Sequence, residues 1–199
     1  DATEVESVLD VALEAQGPVY IRMLRGEIPR LFDQKEPMKL GKARKLREGN
    51  DFVLISSGIC TEEGMRAAAA LADQGIHIAH YHISTLKPFD HPEIMEEIAK
   101  SKYGAITFEN HSIIGGLGSI VAEQMAEYGV GKKLYRLGLN DTFVHGASKE
   151  YLMKEYGLDA MALISKVEAV TGEQYGIKEE SLAETYHPAL HSEAKPEAL

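Results

Sequence analysis

A single cysteine, Cys60, stands in a chain of 199 residues, so no internal disulfide is available, which fits a reducing compartment. No apolar run approaches the ~20 residues that a membrane-crossing helix needs. The first residues also lack the basic-then-apolar pattern of a secretory leader. A cytoplasmic setting, without a membrane partner, is therefore expected. Basic charge is scarce as well: 21 Lys and Arg face 31 Asp and Glu, for a net charge of −10. The acids are spread along the chain and no basic footprint emerges, which argues against nucleic acid and anionic lipid. Internal repeats and low-complexity blocks are absent. What is present is a 44% hydrophobic composition, enough for one core or for one core plus a fragment. The chain opens at Asp1 and not at a methionine, and an incomplete function is expected of it.

Along the chain, Val5, Val8, Leu9, Ala12 and Leu13 have the spacing of a helix with one buried face, ended by Gly17-Pro18. The run Val19 to Leu24 reads as a buried strand broken by Arg25-Gly26. One helix and one strand cannot enclose a core, so this unit must dock on a sheet that the chain does not contain, or swap into a partner. Residues 33–49 are polar and read as a linker ending in an edge hairpin. A regular rhythm follows. Strands are predicted at Phe52–Ser57, Ile76–Ser84, Tyr103–Phe108 and Lys133–Leu139, and helices at Glu62–Gln74 (capped by Thr61), His91–Lys100 and Leu117–Tyr128. Strand, helix, strand at these spacings implies right-handed crossovers and a mainly parallel sheet covered on both faces. A helical pattern around Gly157 closes the domain near residue 185, and residues 186–199 read as a tail.

In such a sheet, ligands gather beyond the carboxyl ends of the strands. The stretch "FENHSIIGGLGSIVAE", Phe108 to Glu123, lies there. Gly115, Gly116 and Gly118 precede a helix whose free amides could hold an anion, but the motif is weaker than a dinucleotide fingerprint and has no P-loop lysine. A tight strand-to-helix turn is the competing reading. Glu109 and His111, two apart in an extended chain, could pair for proton transfer; the alternative is an interface or loop-anchoring role. His80 and His82 project to one side and His77 to the other, so no three of them converge on a metal. Cys60 has no base nearby in sequence and reads as structural, and Ser56-Ser57-Gly58 lacks a nucleophile elbow. Arg22 and Arg25, at the end of the first strand, are suited to a phosphate or carboxylate fork, with a surface ion pair as the plainer alternative.

Together the segments "GPVYIRMLRGEIP", "DFVLISSG", "STLKPFD", "FENHSIIGGLGSIVAE" and "LNDTFVHGASKEYLMKEYGLDA" resemble, in order and over nearly the whole chain, the C-terminal half of the transketolase family of thiamine-diphosphate enzymes. The resemblance implies that residues 1–32 are the end of a middle, pyrimidine-binding domain and that 50–185 are a C-terminal domain. That domain would be three-layered αβα, with a five-stranded, mostly parallel sheet and "ARKLR" as one antiparallel edge strand. It implies that Arg25 helps hold the phosphate of a sugar substrate. It also implies that the domain serves dimer assembly and holds no catalytic residue, with Glu109, His111, Gly115, Gly116 and Gly118 at a contact or anchoring the loop.

The family's Gly-Asp-Gly motif and paired Asn, which hold the diphosphate and its magnesium, are absent: the three asparagines, Asn50, Asn110 and Asn140, are far apart. The expectation is a chain inactive alone, binding neither thiamine diphosphate nor metal, that completes an enzyme with a missing N-terminal portion or subunit as a homodimer or heterotetramer. That enzyme would move a two-carbon ketol unit between sugar phosphates. Two other groups share the "GGLG" loop and K-P-x-D turn: the β-subunits of 2-oxo acid dehydrogenases and the deoxyxylulose-phosphate synthases. The segment from Asp141 to Ala160 favours a transketolase. An anion- or nucleotide-binding regulatory module without enzymatic activity is the alternative of another class.

Overall fold

The computed structural model of the protein describes residues 1–24, 26 and 28–185. Five strands form one sheet: β1 (Arg44–Arg47), β2 (Phe52–Ser56), β3 (Ile78–His82), β4 (Gly104–Ser112) and β5 (Leu134–Leu139). Their spatial order is β1-β3-β2-β4-β5, all neighbours being parallel except the edge pair β1–β3. Strands β2 and β3 are buried at every position, as expected of central strands covered on both faces. Side-chain alternation splits β2 between two cores. Phe52 and Leu54 pack on one face beneath α2 (Cys60–Ala72) and α6 (Ala160–Thr171). Val53 and Ile55 pack on the other beneath α3 (Pro92–Lys100) and α4 (Leu117–Glu127). The result is the three-layer αβα architecture, with one antiparallel edge strand, that the family resemblance implied.

Local chemistry fixes the helix ends. Pro92 opens α3, where its missing N–H costs nothing. Asp159 caps α6 through the amide of Ala162, and Gly172, at φ 79°, ends it in the left-handed conformation. The helical pattern around Gly157 resolves into two helices, α5 (Lys149–Glu155) and α6. A last helix, α7 (Glu179–Thr185), was not anticipated.

The first unit departs most from expectation. Helix α1 spans Ala2–Glu14, but its apolar residues do not form a buried face: Leu9 and Leu13 are 65% and 85% exposed. The buried residues are Thr3 and Glu4, held by polar bonds to the rest of the chain. Residues 19–24 form no strand, and Tyr20 is 89% exposed, because no neighbouring strand is there to pair with them. The expected edge hairpin is also corrected. β1 passes over its sequence neighbour β2 and pairs with β3, Arg44 opposite His82. Thr61 does not cap α2, which begins at Cys60 after Ile59 and has no side-chain cap. The Thr61 hydroxyl instead lies 2.7 Å from His82 Nδ1. The proposed tail, 186–199, lies outside the described residues.

Candidate functional site

Two polar constellations lie at or near the carboxyl edge of the parallel strands. The first joins β4 to α4. Glu109 is buried, and its two carboxylate oxygens accept the amides of Leu117 (2.7 Å) and Gly118 (2.8 Å). These are free amides at the positive end of the helix dipole, so the position that could hold an anion is filled by the chain's own carboxylate. Burial pushes the Glu109 carboxyl above its usual range, while the two amides, His111 and Arg136 pull it back.

The glycines follow from this cap. A Cβ on Gly116 would collide with Glu109 Oε2, and one on Gly118 would come within 2.8 Å of Arg136 Cδ and 2.9 Å of Thr107 Oγ1. Gly115 adopts φ 73°, and its amide donates to Ser119 Oγ at 2.9 Å. His111 is exposed and its Nδ1 lies 2.9 Å from the carbonyl of Ser112, with no hydrogen bond to Glu109. Alternation alone suggested a shared face, yet Glu109 turns under the loop while His111 stays outside. Arg22 reaches this edge and donates to the Asn110 carbonyl at 3.1 Å. Arg25 lies outside the described residues.

The second constellation is a buried chain of side chains. His80 Nε2 lies 2.7 Å from Ser56 Oγ, which lies 2.9 Å from Thr61 Oγ1, itself 2.7 Å from His82 Nδ1. His82 Nε2 then meets Glu4 Oε2 at 2.9 Å, and the other Glu4 oxygen accepts from Ser84 (2.8 Å) and Arg44 (3.2 Å). Burial pushes the Glu4 carboxyl up, but the hydrogen bonds and charges of His82, with Ser84, outweigh it and hold it at about 2. The carboxylate therefore only accepts, and His82 Nε2 donates to it. Burial, with His82 and Arg47 nearby, depresses the His80 imidazole to about 3, so this ring is neutral at pH 7. Its Nδ1 is buried without a hydrogen-bond partner. A bare lone pair there costs less than an orphaned N–H, which assigns the proton to Nε2, donated to Ser56.

This arrangement separates the three histidines: His80 and His82 sit in the chain and His77 is exposed. Among the described residues, no group of three or more His, Cys, Asp or Glu could hold a metal ion. Cys60 is buried and its thiol is pushed well up by burial, then by Glu63 and Glu109, so it is held as an unreactive thiol. Sequence reasoning missed Glu4, whose partner His82 is 78 residues away. It also missed Glu63, which reaches from α2 to accept the first amide of α6, Ala160, at 2.8 Å. The one available signal was the His80–His82 alternation, which placed both rings on the same side of β3.

Residues 41–163 match the family profile "Transketolase, C-terminal domain". The chain is 37% identical over 169 residues to an inferred transketolase C-terminal section of Methanocaldococcus jannaschii, covering 84% of this chain and 52% of that protein. It is 36% identical over 171 residues to a 6-deoxy-6-sulfo-D-fructose transketolase subunit of a Clostridium species, covering 86% and 52%. With the 1-deoxy-D-xylulose-5-phosphate synthase of Syntrophotalea carbinolica it shares 31% over 172 residues, covering 84% and 26%. Among solved structures, a split-gene transketolase in an inactive β4 tetramer superimposes with a TM-score of 0.78 at 33% identity, covering 86% of this chain and 56% of that one. The chain thus spans about half the length of the first of these relatives.

Proposed function

Because the chain belongs to the transketolase C-terminal domain family, we propose that it is the C-terminal portion of a two-part transketolase that transfers a two-carbon ketol unit between sugar phosphates. The observation that carries this reading is its share of the relatives' length, about half, among them a transketolase subunit and a transketolase C-terminal section. The exposed apolar residues of α1 and the unpaired segment 19–24 support it. Both have the composition of elements that belong in a packed domain, and a missing N-terminal portion would supply their partners. In this reading residues 1–32 end a pyrimidine-binding domain, and Arg25 contacts the substrate phosphate. The turn of Glu109, His111, Gly115, Gly116 and Gly118 anchors the domain at a contact between subunits.

Thiamine diphosphate with magnesium supplies the carbanion chemistry in the family. The described residues do not fit that group. They contain no metal-ligating cluster, and the α4 amides that could meet a diphosphate are taken by Glu109. The reading therefore assigns the cofactor to the missing portion, and no step through it is derived for this chain.

The test is reconstitution with the N-terminal portion, thiamine diphosphate and magnesium, assaying transfer from a ketose phosphate to an aldose phosphate. A stable complex that transfers no ketol unit counts against the proposal. Similarity to deoxyxylulose-phosphate synthases supports a second reading. A reconstituted enzyme that forms 1-deoxy-D-xylulose 5-phosphate, and transfers no ketol unit between sugar phosphates, would favour it.

A further inference from the structure

Six of the chain's 21 Lys and Arg side chains fall within residues 35–47, on a molecule whose net charge is −10. Four of them, Lys35, Lys39, Lys42 and Arg44, line a cavity of about 280 Å³ between the linker, α1 and β1, together with Glu4 and Glu36. The two acids do not neutralise this cluster equally. Glu4 is committed to His82, Ser84 and the Nε of Arg44. Glu36 faces Arg44 Nη1 at 3.7 Å, beyond hydrogen-bonding distance, and its side chain is 73% exposed. Among the described residues, the ammonium groups of Lys35, Lys39 and Lys42 have no ion-pair or hydrogen-bond partner.

We propose that this cavity binds a small multivalent oxyanion, a phosphate monoester or diphosphate, which displaces the Glu36 carboxylate from Arg44 and is surrounded by Lys35, Lys39 and Lys42. A loose, exposed carboxylate is easily displaced, since exposed pairs contribute only about 0–1 kcal/mol. Arg44 Nε donates to Glu4 and Nη2 to the Glu36 carbonyl, so Nη1 is the group left for the ligand; an oxyanion with two or more charges engages it and the lysines at once, which one carboxylate on a short tether does not. The cavity has the volume of roughly nine waters at ~30 Å³ each, which suits a diphosphate or a small phosphorylated sugar. Arg44 also holds Glu4, so the bound anion sits against the contact that fastens α1 to β1. The proposal is independent of ketol transfer: the chain's own residues make the site.

Calorimetric titration of the chain with inorganic pyrophosphate, at an ionic strength held constant with potassium chloride, tests it. Saturable 1:1 binding is expected. Replacing Lys35, Lys39 and Lys42 together by Gln should weaken it about tenfold or more. Glu36→Gln removes the competing carboxylate and should tighten it about two- to fivefold. All four side chains are exposed, so both variants should keep the parent's unfolding midpoint, measured alongside. Absence of saturable binding overturns the proposal. So does an affinity unchanged by the lysine replacements, or a Glu36→Gln variant that binds no tighter than the parent.

Discussion

Glu109, in the second half of β4, accepts the amide of Leu117, the first residue of α4, over 2.7 Å, and its second oxygen takes Gly118 at 2.8 Å. A strand thus caps the helix that follows it, with a buried charge at the positive end of the dipole. Glu109→Gln preserves size but leaves one acceptor oxygen, and its NH₂ then faces an N–H. A stability loss of about 1–3 kcal/mol is expected in urea denaturation at pH 7. A midpoint equal to the parent's would show that the two bonds contribute nothing.

Gly116 is small because the Glu109 carboxylate occupies the place of its Cβ. Gly116→Ala should therefore act through the cap and cost about 1–3 kcal/mol. Combined with Glu109→Gln, the losses should overlap by about 0.5 kcal/mol or more, since both break one arrangement. Simple additivity in the double-mutant cycle would separate the glycine from the cap.

Acid should loosen the domain in a defined order. His80 titrates near 3 in the fold against an ordinary 6.5, so its contribution is complete above 6.5 and is lost as the pH falls towards 3. Glu4, at about 2 against 4.5, adds a contribution that is present above 4.5 and lost as the pH falls through 2. Both effects have the same sign, and His80 acts first, with a slope approaching ~1.4 kcal/mol per pH unit for one proton. Glu63 and Glu109, raised by burial, work in the opposite direction as the pH climbs above 4.5. The informative quantity is therefore the difference between the parent and His80→Leu. The variant should show a flatter dependence between pH 6.5 and 4.5, and equal slopes would contradict the assignment.

The link between α1 and the sheet depends on Glu4. Glu4→Ala strands His82, Ser84 and Arg44 without their acceptor, at a cost of about 3 kcal/mol. Helix α1 contributes no residue to either core, so the loss should appear as a hundredfold or greater fall in amide-exchange protection over residues 2–14, with the β2 amides unchanged. Equal protection of α1 in the variant would show that other contacts hold it.

Much of the fold was legible because β2 is a continuous apolar run ending in Ser56, and β3, Ile78–His82, though it carries two histidines, lies one helix further on, at the spacing of a parallel crossover. In the first unit the helix was legible, and the strand expected at Val19 to Leu24 is not formed for a physical reason. Periodicity reports which face of a helix or strand wants to be buried, and Val5, Leu9, Leu13 and residues 19–24 carry that signal, but among the described residues these positions stay largely exposed. The chemistry of the site was less legible than its location. The glycine loop was found, but Glu109's role as its cap depends on the backbone curling back eight residues later, and the Glu4–His82 contact spans 78 residues. Neither leaves a local pattern.

The most direct test of the two-part reading is hydrogen exchange of this chain alone and after mixing with the N-terminal portion. The account predicts a stable complex in which residues 2–14 and 19–24 gain protection, as their exposed apolar side chains are covered. Ketol transfer should then appear only in the mixture. Failure to associate, association that leaves those residues exchanging as before, or ketol transfer by this chain alone would contradict it.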